Sequence, residues 1–215
     1  MLQFNLIKKK YFDATILSVD ALTINNGIVL LQGENGSGKT TLLKMIAGLI
    51  PFEGDIIVKN NFSLKKQRTA YLRCINYAET EPLYPGFLTA QELIKFFCNA
   101  KKGSVAETET LLQHLHIYDM YKKPVSIYSS GMIKKLSIAL AFVGEPKWIL
   151  LDEPLITTDK NAIDVICNLI KERNAKAATS FLITSHQNFN GAQLSFTNKL
   201  LAHDHTITTM HEDNA

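Results

Sequence analysis

Cysteine is scarce here. Cys74, Cys98 and Cys167 are the only three in 215 residues, far apart and without CxxC spacing. An odd, scattered set predicts reduced core thiols and excludes a disulfide framework or a zinc site. A large excess of one charge is missing too. Twenty-three Lys and Arg against twenty Asp and Glu leave a net charge of +3, too little to make nucleic acid or an anionic membrane the expected partner. Lys8-Lys9-Lys10 is the one tight basic run and reads as a solvated strand end. No uncharged apolar run has the length of a membrane span: the best candidate, LSIALAFVGEPKWILL, is broken by Gly144, Glu145, Pro146 and Lys147. The opening residues, MLQFNLIKKKYF, carry their charges in the wrong place for a secretory signal and lack its apolar centre. Work at a membrane would therefore go through a partner. Internal repeats and low-complexity tracts are absent as well. With 46% hydrophobic and 20% charged residues, the chain has the composition of an ordinary globular protein, long enough for one domain with an inserted lobe.

What is present begins with GENGSGKTTLLK, Gly33 to Lys44, between the apolar run Ile28-Val29-Leu30-Leu31 and a helix-like run from Leu42 to Ala47. Glycines let a backbone turn tightly and aim successive N–H groups inward, and a following helix adds its unsatisfied N-terminal donors; together they suit phosphate. The pattern G-x-x-x-x-G-K-T falls on Gly33, Gly38, Lys39 and Thr40, with Gly36 as a third glycine. Glu34, Asn35, Ser37 and Thr41 complete the expected cradle. Lys39 reaches the β- and γ-phosphates and the Thr40 hydroxyl can ligate Mg²⁺. A Gly-rich helix cap could imitate this, but a chance match in a chain this long is on the order of one in a hundred.

Residues 1–31 alternate in short runs around Asn25-Asn26-Gly27 and read as antiparallel strands leading into the P-loop strand. DIIVKN is a further strand. From Pro82 the character becomes helical: TAQELIKFFCNAKK, VAETETLLQHLHIYDMY and SGMIKKLSIALAFV. WILLDEP and FLITSH are short apolar runs ending in polar residues. The helix KNAIDVICNLIKERNAK lies between them, as in parallel strands joined by a crossover. The tail from His203 is polar and expected to fray. WILLDEP sets Asp152 and Glu153 at the carboxyl end of a buried strand, where open α/β sheets bind ligands. Asp152 suits Mg²⁺ and Glu153 suits an attacking water; alone, the pair could equally be an ordinary acidic strand end.

YSSGMIKKLSIALA, Tyr128 to Ala141, adds the third element. Read between the P-loop and LLDEP, it resembles the LSGGQ signature of ATP-binding subunits of ABC transporters, over a span from about Leu6 to His186. Ser129 and Gly131 hold the signature Ser and second Gly. The resemblance implies an α/β P-loop NTPase (RecA-like) core with an N-terminal antiparallel β subdomain, over 1–80 and 146–215, and an inserted α-helical subdomain over 81–145. It implies an ATPase whose cofactors are ATP and Mg²⁺. It further implies that two copies pair head to tail, each ATP lying between one P-loop and the other copy's Ser129 segment, and that an integral membrane permease subunit is the partner, with the chain cytoplasmic and peripheral on the membrane's inner face. By the same resemblance Tyr11 takes the place of the aromatic that stacks on adenine, with Phe12 as competitor. Asp159 matches the D-loop aspartate and His186 the switch histidine. One departure stands out: the family's glutamine after the strand CINYA is missing, and its place falls within Glu79-Thr80-Glu81, so that either Glu79 or Thr80 substitutes. YSSGM resembles exporter subunits in general, while WILLDEPLITTD and TSHQ resemble the heme-exporter subunit of cytochrome c maturation. A non-transport ABC ATPase acting on nucleic acid or ribosomes is a further alternative.

Overall fold

The computed structural model describes residues 1–58, 62–156, 158–185 and 194–210. Two sheets organise them. The first is antiparallel, in the order β2-β1-β4-β5, from β1 (Leu2–Tyr11), β2 (Ala14–Ile24), β4 (Glu53–Val58) and the short β5 (Phe62–Ser63). The second runs β10-β9-β3-β8-β7-β6, from β3 (Ile28–Gly33), β6 (Ile75–Ala78), β7 (Trp148–Asp152), β8 (Ser180–Thr184), β9 (Asn198–His203) and β10 (Thr206–Met210). Its strands are parallel except for β10, which is antiparallel to β9.

The apolar strands are buried on both faces, and alternate side chains feed two cores. Val29 and Leu31 of β3, Trp148 and Leu150 of β7 and Leu182 of β8 pack with β1, β2 and helix α1 (Lys39–Ile46). Ile149, Leu151, Phe181 and Ile183 face the other way, onto helices α5 (Ser130–Ala141) and α6 (Lys160–Ala177). That two-sided burial is why these strands read as unbroken apolar runs. Helices α3 (Ala90–Lys101) and α4 (Val105–His114) extend the second core with α5. Helix α2 (Arg68–Cys74) leads into β6.

The polar tail does not fray where the sequence suggested. Thr206–Met210 forms β10 against β9, with Ile207 buried opposite Ala202. One inward apolar side chain suffices because β9 supplies a complete ladder; so weak an alternation carries little signal in sequence. Residues 211–215 lie outside the described residues.

The register aligns the strand ends. Leu31 of β3 lies beside Thr184 of β8, Thr184 beside Asp152 of β7, and Leu151 beside Ala78 of β6. The P-loop after β3, the acidic pair at β7 and the Glu79-Thr80 segment after β6 therefore leave the sheet from one edge.

Candidate functional site

The start of α1 differs from the other helices. Among the described residues, each other helix of eight residues or more has a side-chain oxygen at its N-cap: Thr89 for α3, Ser104 for α4, Ser129 for α5 and Asp159 for α6. Helix α1 begins at Gly38 with φ 97° and no side-chain cap, so its first N–H groups have no side chain to satisfy them. Only glycine adopts that turn without strain. Gly33, at φ 150°, is constrained further, since a Cβ there would sit 2.5 Å from the Ala202 carbonyl oxygen. Lys39 folds back over the loop, its Nζ donating to the Gly33 and Glu34 carbonyls at 2.8 and 2.9 Å. Burial lowers the Lys39 pKa while the Glu153 and Asp152 carboxylates oppose the shift. A cleft of about 430 Å³ opens beside this loop, lined by Asn35, Gly36, Gly38, Lys39, Thr40, Thr41, Thr80, Glu153 and Ile156.

Asp152 is buried and its carboxylate is held at both oxygens. Thr184 Oγ1 donates to Oδ1 at 2.6 Å and the Tyr77 hydroxyl to Oδ2 at 3.3 Å. Burial, then the charge of Asp152, raises the Tyr77 pKa, so the phenol keeps its proton for that bond. Thr184 Oγ1 also accepts from the Glu153 amide at 2.9 Å, steadying a residue whose φ of 49° is unusual for glutamate. Lys134 enters from α5. Its buried Nζ donates to the carbonyls of Glu79 at 2.7 Å, Thr80 at 3.1 Å and Asp152 at 2.7 Å. Burial lowers its pKa to about 8 against the pull of Asp152, Glu153, Glu79 and Glu81.

The structure thus brings Gly33 to Thr41, Asp152 and Glu153 together at one sheet edge. It also separates the two candidates for the missing glutamine: Thr80 lines the P-loop cleft, whereas the Glu79 carboxylate pairs with Lys44 of α1 at 3.5 Å. Ser129 is exposed and caps α5, accepting from the Met132 amide at 3.2 Å, with Gly131 in the helix's first turn. Asp159 caps α6, accepting from the Ala162 amide at 3.0 Å, and pairs with Lys135 at 2.5 Å; the Lys135 contact, helped by the Ala162 amide, holds its carboxyl below the usual range. Tyr11 ends β1 half-exposed, with Lys9 Nζ 4.5 Å above its ring, while Phe12 is fully exposed at φ 52°. His186 lies outside the described residues. Thr184, Tyr77 and Lys134 escape the sequence reading; the available signals were a hydroxyl closing the apolar run FLIT and the lysine pair Lys134-Lys135 just before the apolar run LSIALAFV.

Among the described residues no group of three or more His, Cys, Asp or Glu forms a metal cage. The donors at this edge, Thr40 and Asp152, are hard oxygens. They fit Mg²⁺, which takes one or two protein oxygens and the rest from substrate phosphates and water. A separate groove of about 470 Å³ between α4, α5 and α6 contains none of these groups.

The family described as ABC transporter matches residues 18–156. The chain is 34% identical over 166 residues to the cytochrome c biogenesis ATP-binding export protein CcmA of Legionella pneumophila, covering 75% of this chain and 80% of that protein. A solved structure of an ATP binding subunit of an ABC transporter superposes with a TM-score of 0.87 at 25% identity, covering 99% of this chain and 90% of the other. A dimeric ATP-binding cassette in a post-hydrolysis state, bound to ADP and Pi, shares the fold with a TM-score of 0.81 at 19% identity, covering 98% of this chain and 99% of the other.

Proposed function

This chain belongs to the ABC transporter family and is an ATPase of that family, and we propose that it drives a membrane transporter by closing, with ATP, onto a second copy of itself. The observation that carries the reading is the shared cleft, which the uncapped start of α1 and Glu153 both line. The α1 amides and Lys39 take the β- and γ-phosphates, and adenine stacks on Tyr11. Mg²⁺, held by Thr40 and Asp152, would neutralise charge on the phosphates. Glu153 accepts a proton from the water that attacks the γ-phosphorus, and His186 contacts the γ-phosphate. Ser129 and Gly131, at the exposed start of α5, present an anion site to the nucleotide of the other copy, and Asp159 lies at the same face.

No helix among the described residues is long and apolar enough to cross a membrane; in this reading an integral membrane permease subunit does the spanning, and this chain sits peripherally on the cytoplasmic face. A groove of about 350 Å³ beside the segment after β6 suits it, with Leu49 and Leu83 exposed at its mouth and Leu72, Phe97 and Leu140 along its wall. Its volume would take a few apolar side chains of the permease. Export is the favoured direction, and a heme exporter of cytochrome c maturation is the second reading, supported by the likeness to CcmA.

The test is Mg²⁺-dependent ATPase activity, with and without the candidate membrane subunit, in wild type and in Lys39→Ala. The mutant should fold normally and lose nucleotide binding, because the one fixed cation of the loop is gone. Unchanged ATP affinity in Lys39→Ala would contradict the assignment of the cleft.

A further inference from the structure

Lys134 carries a charge into the protein without an ion-pair partner among the described residues. An ammonium has three donors and no acceptor, and here three backbone carbonyls take all three: Glu79 and Thr80 after β6, and Asp152 at the end of β7. Burying an ammonium is costly unless each proton is accepted. The arrangement therefore resists displacement of any one of the three carbonyls. At the other end of α5, Asn76 Nδ2 of β6 donates to Ala141 at 2.8 Å and Val143 at 2.9 Å. Helix α5 is thus fastened to the parallel sheet near both of its ends.

What Lys134 holds matters for the chemistry. The segment after β6 has no glutamine, Glu79 is turned toward Lys44, and Thr80 lines the P-loop cleft. The third carbonyl belongs to Asp152, whose next residue is Glu153. We propose that Lys134 is a positioning residue for hydrolysis, supplying from the signature helix the link that fixes Thr80 and Glu153 relative to each other across the cleft. It transfers no proton and touches no reacting atom. Because Ser129 caps the same helix, the segment offered to a second copy and the segment that orients the attacking water share one rigid connection. The inference rests on the reading of this cleft as the ATP-hydrolysing site.

The test uses the full chain in five forms: wild type, Glu153→Gln, Lys134→Met, Thr80→Ala, and Lys134→Met in the Thr80→Ala background. Turnover by wild type and its loss in Glu153→Gln establish the site; a wild type without turnover would overturn the reading of the cleft rather than the role of Lys134. Given an active wild type, Lys134→Met should lower kcat by ~100-fold, the scale of a misplacement of about 1 Å. KM and ATP affinity should stay within about threefold, because the phosphate cradle does not depend on Lys134. In the Thr80→Ala background the same substitution should cost ~10-fold or less, since both changes act through one segment. An unchanged kcat per folded molecule, or full additivity with Thr80→Ala, overturns the proposal. If Lys134→Met does not fold, Lys134→Gln, which keeps two N–H donors, takes the same measurements. Unfolding of both variants overturns it as well, because Lys134 would then serve the fold and not the turnover.

Discussion

Thr184 joins the two acidic positions of the site through a single oxygen, donating to the Asp152 carboxylate and accepting from the Glu153 amide. Thr184→Val keeps the shape of the side chain and removes both bonds, leaving a buried carboxylate oxygen and a buried amide unsatisfied. The expected cost is about 1–3 kcal/mol in unfolding free energy and ~10-fold or more in kcat from a loosened Glu153. Denaturant unfolding with steady-state kinetics measures both; wild-type kcat would show that Glu153 is held by other means. Lys101 shows burial acting on charge away from the site. Its Nζ donates to the Leu72 and Ile75 carbonyls, and burial lowers its pKa from 10.5 to about 8. The folded protein gives up this proton before the unfolded chain does. Between those values the unfolded state holds more protons, so the group's contribution to stability rises with pH. Wild type should therefore gain on Lys101→Met in urea unfolding as the pH is raised from about 8 to about 10, and not below that window. A difference that stays constant across it would contradict the assignment.

At the scale of elements, helix starts divide the labour. Side-chain oxygens close α3, α4, α5 and α6, and a glycine leaves α1 open. Ser129→Arg sets a bulky cation at the exposed start of α5, where, under the proposed function, it would obstruct a second copy and compete for the anion site. ATP binding by the single chain should remain near wild type while hydrolysis is lost. Hydrolysis at the wild-type rate would remove the trans-acting role of this helix. Much of this was legible in the sequence, because glycine spacing, caps and apolar runs are local signals: α3, α5, α6, β7 and β8 fall on the stretches that predicted them. Helix α2 and strand β5 gave no comparable pattern, being short and dependent on packing against β4 and β6. The carbonyls that Lys134 gathers come from residues 55, 54 and 18 positions away. No local pattern announces such a contact. The different surroundings of Glu79, beside Lys44, and Thr80, in the cleft, likewise come from tertiary placement.

At the scale of the molecule, one sheet edge collects the P-loop, the acidic pair and the Thr80 segment, while Ser129 is displayed on the surface at the start of another helix. In the proposed function a second copy completes the site, and Glu153 is where that proposal is tested most directly. Glu153→Gln keeps the size of the side chain but removes the charge that draws a proton from water and that repels the triphosphate. Turnover should fall by about 10²–10⁴-fold, the usual contribution of a positioned general base, while ATP binding survives or tightens. The decisive measurement is size-exclusion chromatography of the mutant in ATP and Mg²⁺. The account predicts a stable homodimer holding two ATP molecules; a mutant that stays monomeric and turns over ATP at the wild-type rate would contradict it.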